Sequence, residues 1–287
     1  MLVGFVAALL TGLATSVGAL PFLVVRGLSR RNYDTMLGFG AGLMLAAATL
    51  GLLSTALEGV RPHDTLDVGR LAAVLIGFVG GVLLLHLMDR LIPHQHAGGH
   101  HVHVHGDHVH HDGDHGHAAG DAAGHSHRQA EGDEGAAARK QGLLVVGVMA
   151  LHRLPEGFAI GAAFAAGGQG LGLPLVIAVA VQNAVEGAIM AAPLRRGGLG
   201  PLSLLGLVTA TGLAIPAAAG VGFELGARLD GSLPPLLALA AGGLIYLTCN
   251  EVIPESHSHG NEVRATFGLL AGFVFVILLR AVFGHRD

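Results

Sequence analysis

Eight runs of apolar residues, nearly free of charge, decide what this chain can fold into. They lie at about 2–25, 35–57, 70–92, 142–165, 172–192, 201–225, 234–254 and 263–283. A helix needs about 20 apolar residues to cross roughly 30 Å of hydrocarbon. Inside a bilayer every backbone N–H and C=O must be satisfied within the segment, so runs of this length read as helices. Charged residues make up only 13% of the chain, against about 25% in soluble domains. The expected fold class is all-α: a polytopic membrane protein with eight transmembrane helices in one bundle. The first run lacks a basic leader and is longer than a signal peptide's apolar stretch, so it reads as an uncleaved helix.

The 46 glycines fit close helix contact in lipid, where small residues let backbones approach. Gly38/Gly42, Gly77/Gly81, Gly222/Gly226 and Gly268/Gly272 have the spacing of such contacts, and their faces are the basis for expecting a homodimer. The single cysteine, Cys249, excludes an intramolecular disulfide framework and reads as a small core hydrophobe. A formal net charge of −4 argues against nucleic acid as a partner.

Lysine and arginine set the orientation. With the N-terminus outside, the inner loops carry Arg26, Arg30, Arg31, Arg90, Arg128, Arg139, Lys140, Arg195, Arg196 and Arg264. The outer side carries Arg61, Arg70, Arg228, Arg280 and Arg286. The bias places both termini outside the cytoplasm and the protein in the cell's cytoplasmic membrane. Three segments follow: helices one to three over 1–92, a loop over 93–141, and helices four to eight over 142–287. The loop holds thirteen histidines among Gly, Ala and Asp. It cannot bury enough apolar surface to offset its ordering entropy, so a disordered cytoplasmic loop is expected. Its imidazoles offer many weak, exchanging metal sites.

Charge inside hydrocarbon is costly and marks function by default. The fourth span carries HRLPEG at 152–157 and the fifth QNAVEG at 182–187. His152 with Glu156, and Gln182 with Glu186, are each four apart and share a helix face. His152 lies about ten residues into its span, roughly 15 Å deep, which is the bilayer midplane; Gln182 matches it in depth. An imidazole, an amide oxygen and two carboxylates suit zinc and its first-row neighbours, and the lack of thiolate favours exchange over storage. Pro155 removes a helical hydrogen bond and frees the Leu151 carbonyl. The alternative is a structural network in which Arg153 pairs with Glu156 or Glu186. Glu58, Glu224, His63 and Asp64 read as an acidic outer mouth, and His86, Asp89, Glu251, Glu255, His257 and His259 as a path towards the inner loop.

These motifs resemble the ZIP (Zrt/Irt-like protein) family of zinc and iron transporters, particularly its bacterial zinc-transporter and GufA-like branches. HRLPEG is similar to the family's HNxPEG, and QNAVEG to its [HQ][ND]xPEG. GFGAGLMLAAATL at 38–50, MDRLIPHQH at 88–96 and NEVIPESHSHG at 250–260 also match family patterns in order. The resemblance covers all eight spans and implies a ZIP-like bundle that carries divalent transition metals, zinc foremost, into the cytoplasm, with no cofactor. It implies a transport site of His152, Glu156, Gln182, Glu186 and Met44. Family members often hold a second metal beside the first, and here the chain departs. Arg153 replaces the usual Asn or Asp, Ile215 stands where a Glu often precedes the proline, and Asn183 keeps the family type. A mononuclear site is expected, with the guanidinium in the vacant charge position.

Other classes stay open beside the carrier: a selective channel, and a metal-binding or sensing homologue that transports weakly or not at all. An enzyme is not expected, since neither HExxH nor GxSxG occurs. A cation-efflux carrier would need a soluble C-terminal domain after its last span.

Overall fold

The computed structural model describes residues 2–25, 28–60, 67–91, 122–228 and 233–283, without the side chains of 89, 91, 122–146 and 148. The described residues are helical, joined by short turns: α1 (Leu2–Ala19), α2 (Arg30–Ala46), α3 (Ser54–Glu58), α4 (Val68–Leu91), α5 (Ala122–Arg196), α6 (Pro201–Gly212), α7 (Ala214–Arg228), α8 (Leu233–Leu247), α9 (Ile253–Ser256) and α10 (Glu262–Phe283). A π-helical stretch, Ala47–Leu53, joins α2 to α3, and another, Thr248–Val252, joins α8 to α9. Ser29 caps α2 by accepting a hydrogen bond from the Asn32 N–H, and Pro201 opens α6. Pro216 cannot bond the Gly212 carbonyl, and the helix is interrupted there, at Leu213, between α6 and α7.

Among the described residues seven stretches are long and apolar enough to cross a membrane, against eight expected. The difference lies in Met149–Arg196, 48 residues long, which replaces the runs expected at 142–165 and 172–192. Its helix is broken at Gly167 and Gly168, and Gly168 adopts φ +56°, a left-handed conformation that glycine takes without steric penalty. Phe164 meets Gly172, Glu156 meets Gln182, and Arg153 meets Asn183. Each pair is centred on the break, so the two arms run antiparallel as a hairpin. The backbone stays helical through Pro155, Pro174 and Pro193.

Residues 122–141, expected within a disordered loop, form the start of α5. Ala, Glu, Arg, Lys and Gln dominate there, and these are good helix formers. The histidine tract from 92 to 121, like His63 and Asp64, lies outside the described residues.

Glycines sort the bundle into two groups. In the first, α1, α5, α6 and α7 pack backbone to backbone: a Cβ on Gly12 would strike Gly212, one on Gly187 would strike Thr15, and one on Gly157 would strike Ile215. In the second, Gly38 and Gly42 press on Ala265 and Leu269, and Gly77 and Gly81 on Pro235 and Leu239. This pairs α2 with α10, and α4 with α8. Across the seam contact is through side chains: a Cβ on Gly40 would stand 3.9 Å from Gln182 Cγ. The glycine faces read as a basis for a homodimer are thus taken up within one chain.

Candidate metal site

The hairpin brings the two polar motifs face to face. Gln182 Nε2 donates to Glu156 Oε1 at 2.8 Å and to Glu186 Oε1 at 2.9 Å. One amide nitrogen thus stands between two buried carboxylates. Glu156 is 1% exposed, and its Oε2 has no hydrogen-bond partner. A buried carboxylate oxygen left this way calls for a cation or a donor.

Arg153 is fully buried. Its Nη1 donates to Asn183 Oδ1 at 2.7 Å and its Nη2 to Glu186 Oε2 at 3.3 Å, while its Nε lacks a partner. The ion pair runs to Glu186 on the opposite arm. Asn183 in turn donates to the Thr11 carbonyl at 3.0 Å, tying the cluster to α1. Ile215 is buried where α7 presses on Gly157.

His152 faces out of this cluster. Its Nε2 stands 3.1 Å from Glu251 Oε2, an ion-pair contact without hydrogen-bond geometry. Glu251 belongs to the Thr248–Val252 π-helix in the second group and is 24% exposed at its side chain. The residue expected on the inner path therefore touches the first residue of the expected site. Met44 is buried in the apolar core, one helical turn beyond Gly40, the residue that approaches Gln182. Among the described residues, no three His, Cys, Asp or Glu side chains converge as they would around a metal. The cluster closes instead on the Gln182 amide and the Arg153 guanidinium.

At one end of the bundle Glu58 lines a cavity of about 210 Å³. Glu224, the other acidic residue expected at the outer mouth, pairs with Arg228 at 2.6 Å on its own helix. At the other end His86 shares a hydrogen bond of 2.9 Å with the Tyr246 hydroxyl. His257 Nδ1 lies 2.8 Å from Ser256 Oγ, and its Nε2 lies 3.1 Å from Thr266 Oγ1. Glu255 sits in α9; Asp89 sits in α4, its side chain outside the described set. Cys249 is exposed rather than in the core.

Sequence reasoning missed Asp34. It is fully buried and pairs with His259 Nδ1 at 2.9 Å, while the Asn261 amide donates to it at 2.8 Å. A lone aspartate in the first turns of a helix gives no sign of a partner more than 200 residues away.

The sequence matches the family described as "ZIP Zinc transporter" over residues 1–280. It is 36% identical over 271 residues to "Zinc transporter ZIPB" of Bordetella bronchiseptica, covering 94% of this chain and 78% of that protein. It is 33% identical to "Zinc transporter GufA" of Myxococcus xanthus, covering 96% of this chain and 97% of the relative. It is 30% identical to "Zinc transporter ZupT" of Corynebacterium glutamicum, covering 99% of this chain and 100% of the relative.

Proposed function

Because this chain belongs to the ZIP zinc transporter family, we propose that it carries zinc across the cell membrane into the cytoplasm through a mononuclear midplane site on the α5 hairpin. ZIP proteins are transporters rather than enzymes, and zinc is the cargo here, not a resident cofactor. The proposed ligands are Glu156, Glu186, Gln182 and His152, with Met44 completing the shell.

The observation that carries this proposal is the unpartnered Glu156 Oε2 beside an amide nitrogen that bridges two carboxylates. A buried carboxylate oxygen without a donor is one that a cation would satisfy. Gln182 presents its nitrogen to the carboxylates, and a metal would need its oxygen, so zinc arrival turns the amide over. Glu156, Glu186 and Glu251 give three negative charges, and Arg153 gives one positive. Arg153 holds Glu186 and Asn183 where a second metal would bind.

Movement follows from the two helix groups. Close backbone contacts lie within each group and side-chain contacts lie between them, so the seam is where sliding costs least. Glu251 offers the next carboxylate beyond His152 and leads towards His86, Asp89, Glu255, His257 and His259. We take that end as cytoplasmic and both termini as outside, a reading supported by the arginine and lysine bias.

Uptake of radiolabelled zinc into proteoliposomes tests this. Saturable flux by the wild type, lost in Glu156→Ala/Glu186→Ala, is expected. One specific observation favours a second possibility: the Arg153–Glu186 ion pair already occupies a cation's place. A well-folded wild type with no flux of zinc, iron or manganese would favour that weakly transporting or sensing homologue.

A further inference from the structure

The cavity of about 210 Å³ lies on the seam between the helix groups. Glu58 and the Ala47–Leu53 π-helix line it from the second group, together with Arg280 of α10; Gly167, Gly170 and Leu171 line it from the hairpin tip. Its buried lining, at Ala47, Leu52 and Leu175, is apolar. A sphere of this volume is roughly 7 Å across, within one Debye length at physiological salt. Opposite charges therefore face one small space. Arg280 Nη1 donates to Ser54 Oγ at 3.0 Å. Among the described residues neither Glu58 nor Arg280 makes an ion pair, so each acts on whatever enters.

We propose that Arg280 is a charge gate at the outer mouth: its guanidinium cancels the pull of Glu58 and limits how readily a divalent cation enters. This rests on the transport proposal for its direction, since it takes this end of the bundle as outside. Among the described residues that line it, the cavity holds one carboxylate and one guanidinium, so their charges cancel and this pair neither concentrates cations nor repels them. Arg280→Gln leaves one net negative charge and draws in the metal. Glu58→Gln leaves one net positive charge and repels it. The double variant is neutral again. Ionic strength screens each effect, so salt raises the KM of Arg280→Gln, lowers that of Glu58→Gln, and leaves the wild type and double variant nearly flat.

Two measurements test the gate. In proteoliposomes at low ionic strength, Arg280→Gln is expected to lower the zinc KM about fivefold with kcat nearly unchanged. Arg280→Lys, which keeps the charge, should behave as wild type. If Lys mimics Gln, the Ser54 hydrogen bond matters rather than the charge, and the gate is wrong. The second measurement needs no flux. Thr55 lines the same cavity, so Thr55→Cys in a Cys249→Ala background reports the field through its labelling by cationic and anionic thiosulfonates of equal size. The ratio of cationic to anionic rates should rise on Arg280→Gln and fall on Glu58→Gln. An unchanged ratio overturns the gate whether or not zinc moves. A shifted ratio in a protein that carries no zinc supports the gate's field and counts against the transport proposal, so the two failures are distinguishable.

Discussion

His152 Nε2 stands 3.1 Å from Glu251 Oε2, and the two residues belong to different helix groups. The imidazole rides on the α5 hairpin with Glu156, while the carboxylate sits on the π-helical turn after α8. Any sliding of one group against the other makes or breaks this contact. Glu251→Gln weakens it by removing the charge. Each ~1.4 kcal/mol lost from the rate-limiting step is about tenfold in rate. The expected outcome is a kcat for zinc uptake reduced about tenfold with KM changed less. A change confined to KM would place Glu251 in binding alone.

Arg153 and Ile215 together should set the number of metals. Arg153→Asn with Ile215→Glu restores oxygen donors and removes the guanidinium. Titration of purified protein lacking residues 93–121 should find one tight zinc in the parent and two in the double variant. Two tight ions in the parent would sink the mononuclear site. Arg153→Ala alone strands Glu186 in a buried pocket and should cost about 3–5 kcal/mol of stability, much of it recovered when zinc is added.

Gln182→Glu replaces the bridging amide with a third carboxylate. That group must lose its proton before it holds metal, so zinc affinity should fall more steeply with decreasing pH than in the wild type. Zinc binding by calorimetry between pH 6 and 8 reads this directly. Parallel pH profiles would mean that Gln182 does not face the ion.

Gly80 and Gly81 are neighbours on α4 with opposite surroundings. A Cβ on Gly80 meets nothing within 4 Å, whereas one on Gly81 strikes the Leu239 backbone. Gly80→Ala should leave thermal stability within about 0.5 kcal/mol. Gly81→Ala should cost about 1–3 kcal/mol, as overpacking does, because α8 must move away. Equal melting temperatures would show that the α4–α8 contact is looser than the backbone implies.

Much of this arrangement is legible without coordinates. The apolar runs give the helices, because a bilayer leaves the backbone no other way to satisfy itself. The i, i+4 spacing places His152 with Glu156, and Gln182 with Glu186, on shared faces. The break at Gly167 and Gly168 falls between the runs at 142–165 and 172–192, so the two arms of the hairpin are legible even though no charge marks the turn. The paired glycines announce close packing, yet their spacing does not name the partner. Gly38 meets Ala265 and Gly77 meets Pro235 across more than 150 residues of chain.

Sequence alone determined the all-helical membrane class and which polar residues are buried at a cost, since both depend on local composition and a single helical period. Only the tertiary structure decided how those residues pair. It gave the Gln182 amide to Glu156 and Glu186, turned Arg153 to the far arm, matched His152 with Glu251, and set Arg280 beside Glu58 on one cavity. Each of these contacts joins segments that are distant along the chain. Their geometry is set by which helices pack against each other, and a helical period carries no record of that.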